Sequence, residues 1–152
     1  MKTFTDSKGR EWAVAINLAT ATRIRDIGNV DLLRLDMGKL PELGELINDQ
    51  YRMFDVLWAC VYPQAQRLGV SKEEFGEELF GDHLFEATNA VLDELCRFTP
   101  DPKNRDLFIR AISISRQKSQ QARESLTRAL DQVEAGSQTA GNSSGEQPGV
   151  SE

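Results

Sequence analysis

The stretch Phe4-Thr5-Asp6-Ser7-Lys8-Gly9-Arg10-Glu11-Trp12-Ala13-Val14-Ala15-Ile16 decides the fold. It reads as a β-hairpin. Gly9 supplies the positive φ that a tight connection needs. Trp12, Val14 and Ile16 alternate and so share one face of the second strand, and Phe4 joins them. Two strands alone are marginal in water, so helices must cover this apolar face.

The rest of the chain supplies those helices. Asn17 caps a helix over residues 18–27, with Leu18, Ala21, Ile24 and Ile27 as its inner stripe and Gly28 as its stop. Val30-Asp31-Leu32-Leu33-Arg34-Leu35 reads as a third short strand or irregular structure, with strand favoured. Pro41 suits the first position of a helix over 41–47. A strongly apolar helix follows over 49–67, with Tyr51, Phe54, Leu57, Trp58 and Val61 toward the core. Pro63 should kink or end it, and Gly69 closes it.

Ser71-Lys72-Glu73-Glu74 matches a capping box and opens a short helix carrying Phe75 and Leu79. Gly81 breaks the chain. Asp82 caps a helix over 83–98 with Leu84, Ala87, Val91, Leu92, Leu95 and Phe98 inside. Asp101 as cap and Pro102 as first helical residue start a long last helix over 102–134. Leu107, Phe108, Ala111 and Ile112 anchor its first half. Its second half keeps only a thin apolar seam of Ala122, Leu126, Ala129, Leu130 and Val133, and is expected to project from the body.

The expected class is therefore α+β, mostly α. An N-terminal hairpin packs on a bundle of about five helices, followed by a long C-terminal helix. The expected organisation is a single domain over 1–134 (hairpin 1–17, helical body 18–134) and a flexible Gly/Ser-rich tail over 135–152. A chain of 152 residues can bury a core without disulfides or metals. No apolar run approaches the roughly 20 residues that span a bilayer, and no apolar segment of signal-peptide type follows Met1. The expectation is a cytoplasmic protein that does not enter membranes.

A net charge of -6 disfavours nucleic acid as a partner, because the phosphate backbone asks for a Lys/Arg surplus. Arg110, Arg116, Lys118 and Arg123 form the best local basic stretch, and they read as a solvated helical face. Groups able to do chemistry are few. His83, the single histidine, sits next to Asp82, but adjacent helical residues do not face each other. It reads as a solvent-exposed or capping-region side chain. Glu73, Glu74, Glu77 and Glu78 read as the wet side of a short helix. Cys60 and Cys96 read as small buried hydrophobes without metal-ligand spacing. Trp12, Trp58 and Tyr51 read as core, and Tyr62 as partly exposed. No cofactor, metal or catalytic residue is expected. The features left over are apolar side chains for a partner: Leu126, Leu130 and Val133 on the last helix, then Phe80 and Phe85 around Gly81.

Several of these stretches resemble one family. They are the opening from Phe4 to Trp12, Ile24-Arg25-Asp26-Ile27-Gly28-Asn29-Val30-Asp31-Leu32-Leu33, and Gly69-Val70-Ser71-Lys72-Glu73-Glu74-Phe75-Gly76. Ala87-Thr88-Asn89-Ala90-Val91-Leu92-Asp93-Glu94-Leu95 and Phe98-Thr99-Pro100 complete the set. Together they look like the tail assembly chaperones of tailed bacteriophages and prophages. The resemblance implies a small helical, non-enzymatic protein in the host bacterial cytoplasm. It implies that the protein binds and solubilises the tape-measure protein, recruits tail-tube protein, and is missing from the mature virion. Family members are commonly made in two lengths by frameshifting near the end of the first reading frame. Exposed apolar surface would also favour self-association. Competing expectations are a structural virion component, such as a connector or minor tail protein, and a small regulator binding DNA or a host protein.

Overall fold

The structure is a computed structural model of the chain; it describes the backbone of residues 1–35 and 40–142 and the side chains of 1–34 and 44–137. Among the described residues the order is β1 (Lys2–Thr5), β2 (Glu11–Val14), α1 (Leu18–Gly28), α2 (Leu32–Leu35) and α3 (Leu40–Asn48). Then come α4 (Gln50–Leu68), α5 (Lys72–Glu77), α6 (Gly81–Phe98) and α7 (Pro102–Asn142). The class is the expected mostly α fold with an N-terminal hairpin and a long C-terminal helix, with seven helices among the described residues. The chain divides into two compact units, Met1–Ile109 and Arg110–Glu152, and the boundary falls within α7.

The strands pair antiparallel with Phe4 opposite Trp12 and Lys2 opposite Val14. Gly9 takes φ 79°, as the turn requires. Phe4, Trp12, Val14 and Ile16 are all buried, so the alternating face reads correctly from sequence. Helix α6 covers β1 and α4 covers β2. The free edge of β2 is closed by a side chain. The Gln64 amide accepts from Ala13 N at 3.2 Å and donates to the Glu11 carbonyl at 2.7 Å, pairing groups that would otherwise lie open.

Helix α4 is the centre of the first unit. It touches α1, α3, α5, α6 and β2. Neighbours on several sides explain why Val56 through Val61 are buried without a break, where an amphipathic reading expects a stripe. Met53 and Val56 lie in the core, Phe54 is half-buried, and Tyr51, expected inside, is 86% exposed. Pro63 does not end α4, which continues to Leu68. Its ring sits on an exposed position, where the missing N–H leaves only the Ala59 carbonyl without its helical donor. Gly69 closes the helix at φ 68°, as expected.

Asn17 caps α1, accepting from Thr20 N at 2.9 Å. The inner face is Thr20, Ala21, Ile24 and Gly28, whereas Leu18 and Ile27 are exposed. The stripe is rotated because α4 approaches α1 on the side of Gly28. A Cβ on Gly28 would lie 3.1 Å from the Asp55 carbonyl oxygen. Asn29, not Gly28, takes the left-handed stop conformation, at φ 53°. The segment expected to be a third strand is the one-turn helix α2, started by Asp31 accepting from Leu33 N at 3.1 Å.

Ser71 caps α5 through Glu74 N at 3.1 Å. The Glu74 carboxylate is engaged by Arg10 and Lys8, so the box acts through its serine. Phe75 is the hub of the core. Its ring meets Trp12 at 4.9 Å, Trp58 at 5.7 Å, Phe54 at 5.9 Å and Phe4 at 6.4 Å between centroids. The N-cap of α6 is Phe80, without a side-chain cap bond, so Asp82 lies inside the first turn instead of capping. Ala87, Val91, Leu92 and Leu95 are buried as expected, while Leu84 and Phe98 are half-buried.

Asp101 starts α7 as expected, accepting from Lys103 N at 2.8 Å. Phe108 and Ile112 are buried, but Leu107 is exposed and Ala111 half-buried. The helix runs to Asn142, past the expected end at Glu134. The tail expected over 135–152 is therefore helical as far as 142, and residues 143–152 lie outside the described residues.

Candidate functional site

Several ionisable groups of the first unit are tied into its structure. The Asp6 carboxylate is buried. It accepts from Lys8 N and Arg10 N at 3.0 Å, from Arg10 Nε at 2.7 Å and from Trp12 Nε1 at 2.8 Å. Burial pushes its pKa up, but the bonds from Trp12 and Arg10 outweigh this and hold it below its ordinary value. Arg10 also reaches Glu74 at 3.3 Å, and Lys8 reaches Glu74 at 3.4 Å and Glu78 at 3.6 Å. Ser7 binds Glu78 through its hydroxyl and, at 3.1 Å, through its backbone N–H to the Glu78 carbonyl. Two of the four glutamates expected on a wet face thus clamp α5 to the hairpin turn.

Glu94 is the second buried carboxylate, and sequence reading missed it. It accepts from the Met1 amino group at 2.8 Å and from Ile16 N at 3.2 Å. Burial raises its pKa, and these bonds with the charge of Arg97 bring it below the ordinary value. Cys60 is buried beside it. Desolvation, with a smaller push from Glu94 and against a pull from Arg23, raises its thiol to about 12. Such a thiol carries almost no thiolate near neutral pH. Cys96, expected to be buried, is half-buried.

His83 does not lie open to solvent. It is half-buried, and its Nδ1–H donates to the Thr5 carbonyl at 2.6 Å, pinning α6 to β1. Its other neighbour is the Phe80 ring at 6.3 Å. A polar hollow of about 280 Å³ carries Asp31, Arg34, Glu45 and Arg52 on its walls. Its charges pair with each other, Arg34 with Asp31 at 3.5 Å and Arg52 with Glu45 at 3.9 Å. Among the described residues, no three His, Cys, Asp or Glu side chains are placed to hold a metal ion. No described helix is long and apolar enough to cross a membrane.

The apolar residues singled out from sequence are exposed. Leu126 is 59%, Leu130 55% and Val133 67% exposed. Their spacing of four and three residues places all three on one face of α7. Phe80 at 58% and Phe85 at 61% are exposed on the first unit, at the start of α6. Phe80 is the extended N-cap and Phe85 lies in the first turns of the helix. Arg110, Arg116, Lys118 and Arg123 are exposed, but the helical repeat distributes them around α7. Leu18, Leu33, Leu68 and Ile114 are further exposed apolar side chains that the sequence did not flag.

The chain is thus a mostly α protein with an N-terminal hairpin, carrying exposed apolar side chains on both units. It matches no protein-family model, no curated protein and no solved structure.

Proposed function

We propose that this chain is a non-enzymatic tail assembly chaperone of a tailed bacteriophage. It binds the tape-measure protein in the host cytoplasm, keeps it soluble, and helps tail-tube subunits assemble around it. The observation that carries this reading is the exposed row Leu126, Leu130 and Val133 on α7, taken with the family resemblance of the hairpin and helix stretches.

The magnitudes suit a transient chaperone. A half-exposed leucine or valine gains about 1 kcal/mol on being covered, so the three give about 3 kcal/mol. Association costs about 4 kcal/mol or more, so the row alone cannot hold a client tightly. A long helical client with repeated apolar stripes can engage many copies, each released when a tube subunit replaces it. The charge of -6 keeps the protein soluble despite its apolar surface.

The test is co-expression with the tape-measure protein of the same genome. Replacing Leu126 and Leu130 by Asp should leave the circular dichroism unchanged and abolish co-purification. Undiminished co-purification would remove the row from the reading. Mass spectrometry of finished particles separates a chaperone from a structural virion component: the chaperone should be missing.

A further inference from the structure

We infer that α7 pairs with the same helix of a second copy of this chain, in antiparallel orientation. This does not rest on the chaperone reading. Ser119, Ala122, Leu126, Ala129 and Val133 recur at alternating intervals of three and four residues, the spacing of a two-stranded coiled-coil seam. Leu130 widens the seam, and every one of these side chains is exposed. The unit that carries them offers no strand or second helix among its described residues to cover them.

Size and charge choose the orientation. From Ala122 to Val133, small and large residues alternate along the seam. A parallel pair would set Ala122 on Ala122 and Ala129 on Ala129, leaving gaps at both layers. An antiparallel pair sets Leu126 against Ala129 of the partner subunit and Val133 against Ala122 of the partner subunit. Each layer then holds one large and one small side chain.

The flanking charges agree. Lys118 and Arg123 lie on opposite flanks of the seam, five residues apart. In a parallel pair Lys118 would therefore face Arg123 of the partner subunit, and like charges repel. Arg123 and Glu134 lie on the same flank. In the antiparallel register given by the apolar layers, Arg123 falls within a turn of Glu134 of the partner subunit, and the two-fold axis makes that contact twice. The side chains of both are exposed and need little desolvation to meet. Burying this seam buries no charge.

Sedimentation equilibrium of the full chain, without any client, tests this. The expected result is a weight-average mass that climbs from the 17.0 kDa chain mass toward twice that value as the concentration approaches the millimolar range, and Leu126→Asp should hold it at the monomer with unchanged helix content. Arg123→Glu alone and Glu134→Arg alone should each weaken dimerisation about tenfold, because two attractions become two repulsions. The double variant should restore it, and Lys118→Glu should leave it unchanged. A monomer at every concentration would overturn the inference, including the outcome in which only a client binds the seam. A dimer indifferent to Leu126→Asp, a double variant no better than the singles, or strengthening by Lys118→Glu would also overturn it.

Discussion

At Asp6 one buried carboxylate gathers the hairpin turn, the Arg10 guanidinium and the Trp12 indole. Replacing it with Ala leaves those donors buried without an acceptor. The expected loss is about 3 kcal/mol, read as a lowered urea midpoint. Asp6 and Glu94 also set the response to acid. Both have folded-state pKa values below their ordinary 3.8 and 4.5. A depressed carboxylate stabilises the fold fully above its ordinary value and loses that contribution as pH falls through the folded value. Stability should therefore be level near neutral pH and decline below about pH 4.5. In the variant carrying Asp6→Asn and Glu94→Gln it should start lower and decline less. An unchanged decline in the urea midpoint would show that other carboxylates govern it. Neither role was legible in the sequence. Asp6 lies in a polar turn motif, and Glu94 sits among charged neighbours on a helix whose contact with the chain before α1 is purely tertiary.

Elements were legible where a pattern is local and were misread where a neighbour sets the phase. The alternation Trp12, Val14, Ile16 gave the hairpin face directly, and the caps at Asn17, Ser71 and Asp101 are written in adjacent residues. Leu18, Ile27 and Tyr51 each fit a helical stripe and so read as inward, yet all three are exposed. Which stripe is buried depends on where α4 meets α1, and that contact is set by the absence of a side chain at Gly28. Gly28→Ala should therefore destabilise by about 1 kcal/mol, despite the gain in helix propensity, because the crowded atom is backbone within α4. Gly44→Ala is the control. Nothing lies within 4 Å of its Cβ position, so the same change there should stabilise by about 0.5–1 kcal/mol. Thermal melts of the two variants that moved in the same direction would contradict this packing account. Residues 30–35 read as a strand by their apolar run, but Leu32-Leu33-Arg34-Leu35 suits one helical turn and Asp31 supplies its cap.

For the whole molecule, the fold class was legible in the sequence, and so were the apolar side chains left uncovered on α7. The sequence did not tell that α7 runs past Glu134, because Gly136 and the polar residues after it carry a weak helix signal. Nor did it tell that Phe80 would be a helix cap leaning on His83. The functional account depends on Leu126, Leu130 and Val133 being covered by another polypeptide. Its most direct test is the soluble fraction of the tape-measure protein in a bacterial lysate, with and without this chain. The account predicts that the client is insoluble alone, soluble with the natural chain, and insoluble again with the Leu126→Asp, Leu130→Asp variant. A client equally soluble with the variant would contradict it.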